Sequence, residues 1–218
     1  MLSFTEENYL KTLYHLSFHN TEVSVHELSL SLDIKMPTVN SMVKKLAAKG
    51  LVAYEKYKPL SLTENGSKAA GLVIRKHRLT EIYLVEKMGF AWDQVHEIAE
   101  QVEHIKSPEF FDKIAEILNH PTVDPHGSPI PDKNGKLPEL NYIKLSECSI
   151  AQKGVLASVG NSSDSFLKLL GSLDLKLGDS LEIVEVQDFD KSMKVTVNQK
   201  TTLNLSSLVC ENLLIVKS

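Results

Sequence analysis

The chain has 218 residues, 42% of them hydrophobic and 24% charged, with a formal net charge of −4. That balance excludes a disordered or low-complexity chain and argues against a general polyanion binder. Two cysteines exclude a disulfide scaffold or a thiolate zinc finger, and the longest apolar runs fall far short of the ~20 residues of a membrane span.

The start, Met1-Leu2-Ser3-Phe4-Thr5-Glu6-Glu7, lacks the basic and apolar segments of a secretory signal, so a cytoplasmic location is expected. Ser3-x-x-Glu6 reads as a capping box, and Tyr9, Leu10, Leu13, Tyr14 and Leu16 follow at helical spacing. A second helix fits Val25–Leu32 with Ser24 as N-cap. A third begins at Pro37, buries Val39, Met42, Val43 and Leu46, and stops at Gly50. Leu51–Tyr54 and Leu60–Leu62, around a charged tip, predict a hairpin. Thr63 caps a long helix to about Met88, and Asp93–Ile105 and Pro108–Leu118 read as two more. Residues 119–140 carry five prolines and two glycines and read as a connector. From about Leu145 to Ser218, period-two runs such as Leu181–Val186 and Met193–Val197 predict a small β-barrel.

Charge is divided along the chain. Lys35, Lys44, Lys45, Lys49, Lys56 and Lys58 face one acid, Glu55, a local +5. Between Glu81 and Glu116, nine acids face three lysines, a local −6. The helices at Val25–Leu32 and Pro37–Lys49, followed by a hairpin, form a winged helix-turn-helix pattern. A major groove about 12 Å wide admits one helix, whose N-terminal residues reach base edges. The expected DNA-facing set is therefore Lys35, Pro37, Thr38, Asn40 and Ser41 at the helix start, with Lys44, Lys45, Lys56 and Lys58 toward phosphates. The bland alternative is a solvated basic helix. Tyr54 and Tyr57 in the wing either touch the sugar-phosphate backbone or pack beneath it.

In the acidic stretch, His96, Glu100, Glu103 and His104 share one face at about 100° per residue. His77 and Glu81, four apart on the long helix, share a face of theirs. Imidazole and carboxylate donors converging from two helices can hold a divalent ion; the alternative is a solvated face with intrahelical pairs. A hydrolytic metalloenzyme would place His-Glu-x-x-His here, whereas His96-Glu97-Ile98-Ala99-Glu100 puts Glu in the second His position, and neither a Gly-x-Ser-x-Gly elbow nor a phosphate loop is found. An enzyme is not expected. Trp92 and Phe90 read as core or staple, and Cys148 and Cys210 as inert.

Together, Glu7-Asn8-Tyr9-Leu10, Met36-Pro37-Thr38-Val39, Arg75-Lys76-His77-Arg78-Leu79-x-Glu81, Val95-His96-Glu97-x-Ala99-Glu100-x-x-Glu103-His104, Pro125-His126-Gly127-x-Pro129-Ile130-Pro131 and Leu177-Gly178-Asp179 carry a resemblance over nearly the whole chain. The sequence resembles the diphtheria-toxin-repressor family of metal-dependent transcription regulators, especially its manganese-responsive branch. The resemblance implies an α+β protein: a winged helix over 1–63, a helical dimerisation and metal-binding domain with the connector over 64–140, and an SH3-like barrel over 141–218. It implies a primary metal site of Glu100, Glu103 and His104 with Asn8 from the first helix, and His77, Glu81 and His96 forming or sharing a second. It also makes His120, Asp124 and His126 connector rather than ligands.

Three departures bear on this. Asn8 stands where relatives usually present Asp or Met. Lys11 replaces a carboxylate that some manganese-type members use in a binuclear pair. Ala157 and Gly160 fall where iron-type members take ligands from the SH3-like domain, leaving Asp164 as a nearby substitute. Glu100 stands where iron-type members carry Cys, so the donors are oxygen and imidazole nitrogen, which suits Mn²⁺ first and Fe²⁺ next. The function expected is a homodimeric, metal-activated repressor of metal-uptake genes bound to a palindromic double-stranded operator. A winged-helix regulator sensing a small organic effector and a metal-buffering protein are the competing readings.

Overall fold

The computed structural model describes residues 2–19, 22–56, 58–138 and 140–217, without the side chains of residues 18 and 19. Tyr57 lies outside the described residues. The chain forms two compact units: residues 1–80, 99–122 and 130–138, and residues 81–98, 123–129 and 139–218.

The first unit opens with α1 (Phe4–His19), started by the expected capping box: Glu6 N donates to Ser3 Oγ at 3.3 Å and Ser3 N to Glu6 Oε2 at 2.9 Å. The same device, Ser24 with Glu27, starts α2 (Val25–Leu32). Asp33, left-handed at φ 52°, ends α2 and turns the chain into α3 (Met36–Ala48), one residue earlier than the Pro37 start expected. The short strands β1 (Val52–Ala53) and β2 (Ser61–Leu62) pair antiparallel as the wing. Val23 bridges Leu60 beside them. Tyr9, Leu10, Leu13, Leu28, Val39, Val43 and Leu46 form the core beneath, and Tyr54 packs against it.

Thr63 Oγ1 accepts from Gly66 N at 3.0 Å and starts α4 (Glu64–Met88), whose residues through Thr80 belong to the first unit. The helix expected over Asp93–Ile105 is shorter: α5 runs His96–Val102. Glu103 and His104 therefore lie in the turn beyond it, although Glu103 N still donates to Ala99 O at 2.9 Å. Helix α6 (Pro108–Ile117) follows, capped by Ser107.

The second unit is built on a six-stranded antiparallel sheet ordered β3-β8-β4-β5-β6-β7. Its strands are β3 (Ile143–Lys144), β4 (Lys153–Val159), β5 (Ser180–Val186), β6 (Met193–Val197), β7 (Thr201–Leu205) and β8 (Leu213–Lys217). Two helices were not expected: α7 (Asp164–Ser172), which buries Leu167 and Leu170, and α8 (Ser207–Glu211), which buries Val209 and Cys210. These apolar groups join Leu156, Leu181, Ile183, Val195 and Ile215 in one core. Strand β4 breaks register against β8 between Leu156 and Ser158. Such bulges bend a strand and re-aim its neighbours, and this one receives the connector: Gly127, at φ +80°, is so close that a Cβ there would lie 2.0 Å from the Ala157 carbonyl oxygen.

Candidate metal centre and nucleic-acid face

Phe4, Glu7, Asn8 and Lys11 recur at i, i+3, i+4 and i+7, so α1 presents them along one face. Glu103, fully buried, is met from that face by Lys11. Lys11 Nζ donates to Glu103 Oε1 at 2.7 Å and to Glu100 Oε1 at 2.6 Å. His77 Nδ1 lies 2.6 Å from Glu103 Oε2. Lys76 donates to the Glu103 carbonyl, and burial holds the Lys76 ammonium below its usual value against the opposing pull of Glu7 and Glu103. One ligand atom each from His77, Glu100 and Glu103 fall within 4.8 Å of one another.

His104 completes this cluster. Its Nδ1 lies 2.6 Å from Glu7 Oε2, while its Nε2, 3.5 Å from Glu103 Oε1, is buried and makes no hydrogen bond. Asn8 Oδ1 is likewise buried without a hydrogen-bond partner. An unsatisfied buried polar atom costs about 1–3 kcal/mol, and both of these atoms are of ligand type. Imidazole nitrogens from His77 and His104 and carboxylates from Glu100 and Glu103 are donors of the kind that suits a divalent ion such as Mn²⁺ or Fe²⁺.

Of the expected second group, His77 and Glu81 lie four apart on α4. His77 is held in the first unit by Glu103. In the second unit, His96 Nδ1 lies 3.3 Å from Glu81 Oε1, and the His96 side chain is half-exposed. Glu81 also gathers with Asp124 and His126, all three buried and with ligand atoms within 4.8 Å. Asp124 and His126, expected as connector, are buried in it, whereas His120 is exposed. Asp124 Oδ1 accepts from His126 N at 2.8 Å and Ser128 N at 2.9 Å, an Asx turn. His126 Nε2 lies 3.0 Å from the Trp92 carbonyl oxygen, which leaves Nδ1 toward Glu81 Oε2 at 3.7 Å. The His126 carbonyl accepts from Val159 N at 3.0 Å and Ser158 Oγ at 3.2 Å, so the β4 bulge seats the ligand turn. Asp164 does not join: it is exposed at the start of α7, beside Lys168.

On α3 and the wing, Lys35, Pro37, Thr38, Ser41, Lys44, Lys56 and Lys58 are exposed. Ser41 Oγ donates to Pro37 O at 2.9 Å, and Lys58 pairs with Glu55 at 2.8 Å. Asn40 is half-buried, its Oδ1 enclosed without a partner. Lys45 is not available to phosphate alone: with Lys49 it holds Glu6 Oε1, at 3.1 and 2.7 Å. The Lys49 hydrogen bond, then the Ser3 backbone, bring the Glu6 carboxyl down to about 2. Cys148 and Cys210 are buried, and burial pushes the Cys210 thiol up to about 11. Among the described residues, no helix is long and apolar enough to cross a membrane.

Sequence reasoning gives Glu7 no role of its own and assigns Asp124 and His126 to the connector. Burial marks all three, and Asp-x-His in a turn was the one local signal for the last two.

Comparison with known proteins matches the chain to "Iron dependent repressor, N-terminal DNA binding domain" over residues 1–60 and "Iron dependent repressor, metal binding and dimerisation domain" over 63–132. The "FeoA domain" family matches residues 143–217. The iron-dependent repressor IdeR of Mycobacterium tuberculosis is 37% identical over 150 residues, covering 66% of this chain and 65% of IdeR, just under two thirds of that relative's length. The diphtheria toxin repressor of Corynebacterium glutamicum is 30% identical over 183 residues, covering 84% of this chain and 71% of that protein. A solved structure described as a manganese-dependent transcriptional repressor in complex with manganese superposes with a TM-score of 0.90 at 28% identity, covering 98% of this chain and 100% of the other.

Proposed function

Because the chain belongs to the diphtheria-toxin-repressor family, a family of DNA-binding repressors and not enzymes, we propose that it is a homodimeric repressor of metal-uptake genes, activated by Mn²⁺ and next by Fe²⁺. The observation that carries the reading is His104 Nε2, enclosed and unsatisfied 3.5 Å from Glu103 Oε1; Asn8 Oδ1, next to Glu7 on α1, is enclosed and unsatisfied as well. A bound divalent cation supplies positive charge and fixed coordination there. Without thiolates, the set favours the harder first-row ions. The manganese complex above supports Mn²⁺, and the iron-dependent relatives support Fe²⁺ as the alternative.

Helix α1 joins ion and DNA. On one side it offers Glu7 and Lys11 to the turn beyond α5; on the other, Glu6 grips Lys45 and Lys49 at the end of α3. Closing the donors around an ion holds α1, and α1 holds the reading helix. A coupling of about 1–3 kcal/mol tightens operator binding roughly 5–150-fold, and DNA tightens ion binding equally. Exposed Phe110 and Ile117 on α6 and Ile105 before it suit a second copy as partner. Two reading helices then address a palindromic duplex with half-sites about one turn, or a multiple, apart. Glu81, Asp124 and His126 are our proposed further ion site, beside the expected group of His77, Glu81 and His96.

A gel shift with EDTA, Mn²⁺, Fe²⁺ and Zn²⁺ tests the reading. Retardation with Mn²⁺ or Fe²⁺ that EDTA reverses is expected; retardation indifferent to metal would overturn it.

A further inference from the structure

Glu7 was assigned no role by the ligand set, yet it is buried, and each of its oxygens holds one group of the turn beyond α5. Oε2 lies 2.6 Å from His104 Nδ1, and Oε1 accepts from Lys106 Nζ. We propose that Glu7 is the positioning residue of the metal centre: it fixes His104 as the Nδ1–H tautomer and so aims the Nε2 lone pair at a divalent cation.

The argument is one of donors and acceptors. An ionised carboxylate only accepts, so the proton between Glu7 and His104 belongs to Nδ1. A neutral imidazole then has a bare Nε2, and Nε2 is the atom that is enclosed with no hydrogen bond. Were Nε2 protonated instead, it would meet Glu103 Oε1, 3.5 Å away, as a donor and be lost as a ligand. The Phe4 ring, 3.8 Å from the imidazole between centroids, restrains its rotation. Orienting the second nitrogen of a metal-binding imidazole by a carboxylate is a general way to raise affinity. Here the orienting residue, Glu7, and the candidate ligand, Asn8, are consecutive on α1, so His104 is readied only while α1 is in place.

This inference rests on the proposed metal centre, and its test separates the two. The metal-free full chain, ¹⁵N-labelled at histidine and held at about pH 8, above the ordinary imidazole value, is compared with Glu7→Gln and Glu7→Ala by long-range ¹H–¹⁵N spectra. Mn²⁺ affinity is measured by chelator competition. Wild type should show His104 protonated at Nδ1 alone. Glu7→Gln, which keeps an acceptor oxygen, should retain that tautomer. Glu7→Ala should move the proton to Nε2 and weaken Mn²⁺ binding about 10–100-fold. A wild-type His104 with a proton on Nε2, or a Glu7→Ala protein with unchanged tautomer and affinity, overturns the inference while the metal centre stands. Wild type that binds no Mn²⁺ removes both. Should Glu7→Ala fail to fold, the wild-type tautomer still decides.

Discussion

In the first unit, the turn that carries Glu103 and His104 is met by α1 across 92 residues from Lys11 and 97 from Glu7. In the second, Asp124 and His126 belong to one turn, closed by its own backbone, and Glu81 comes from the end of α4. The charges differ as well. Lys11, Lys76 and Lys106 touch the first cluster, whereas Asp124 is compensated by backbone N–H groups. The first cluster thus has a geometry that follows α1, which also holds the end of α3; in the second, two of the three groups are set by one Asx turn seated on a bulged strand. A cluster assembled from afar can act as a switch, because moving one element opens it. A locally closed one acts as a fixed anchor.

The largest effect expected is from Glu103→Ala combined with His104→Ala, which removes the hub and its imidazole. Metal-dependent operator binding should fall by about the full 5–150-fold of the coupling, with the dimer intact by size-exclusion chromatography; an unchanged metal response breaks the switch side of the comparison. Gly127→Ala addresses the anchor. It adds a Cβ at positive φ, 2.0 Å from Ala157 O, and should cost about 2–3 kcal/mol in urea unfolding and loosen the Glu81–Asp124–His126 group, leaving the tautomer of His104 alone.

A smaller effect concerns the link from α1 to α3. The Glu6 carboxyl sits at about 2 in the folded protein against an ordinary 4.5. Its contribution is present above 4.5 and disappears as pH falls toward 2. After discounting for the solvent-screened lysines, that contribution is about 1–2 kcal/mol. Glu6→Gln should show this loss at neutral pH and no difference from wild type near pH 2; an equal deficit at both pH values would deny the ion pair its role. Smallest of all, Lys44→Ala should weaken binding across DNA sequences and flatten the salt slope by about one unit, with Asn40→Ala acting on sequence choice. Lys45→Ala should flatten it less, since Lys45 already answers Glu6.

Where local chemistry closes an element, the sequence could be read directly. Ser24 with Glu27 marks the start of α2, and period two marks β5 and β6. The end of α5 was misplaced because the spacing of His96, Glu100, Glu103 and His104 continues past Val102, and Glu103 keeps one helical bond after the helix has ended. Leu167–Leu170 read as an apolar run, although Ser163-Asp164 ahead of it was a helix-start signal. The family resemblance makes Asp124 and His126 part of a proline-rich connector, and the sequence does not tell that β4 will cover them.

Residue identity alone determined the kinds of donor available, the division of basic from acidic surface, and the two helices of the DNA-reading motif, because these depend on chemistry and on spacing within a few residues. Only the tertiary structure decided which donors meet: that Lys11 lies between two carboxylates, that Glu7 rather than solvent faces His104, and that a connector turn reaches Glu81. Those meetings join residues tens of positions apart, and burial, which makes an unsatisfied oxygen or nitrogen costly, exists only once the chain has closed around it.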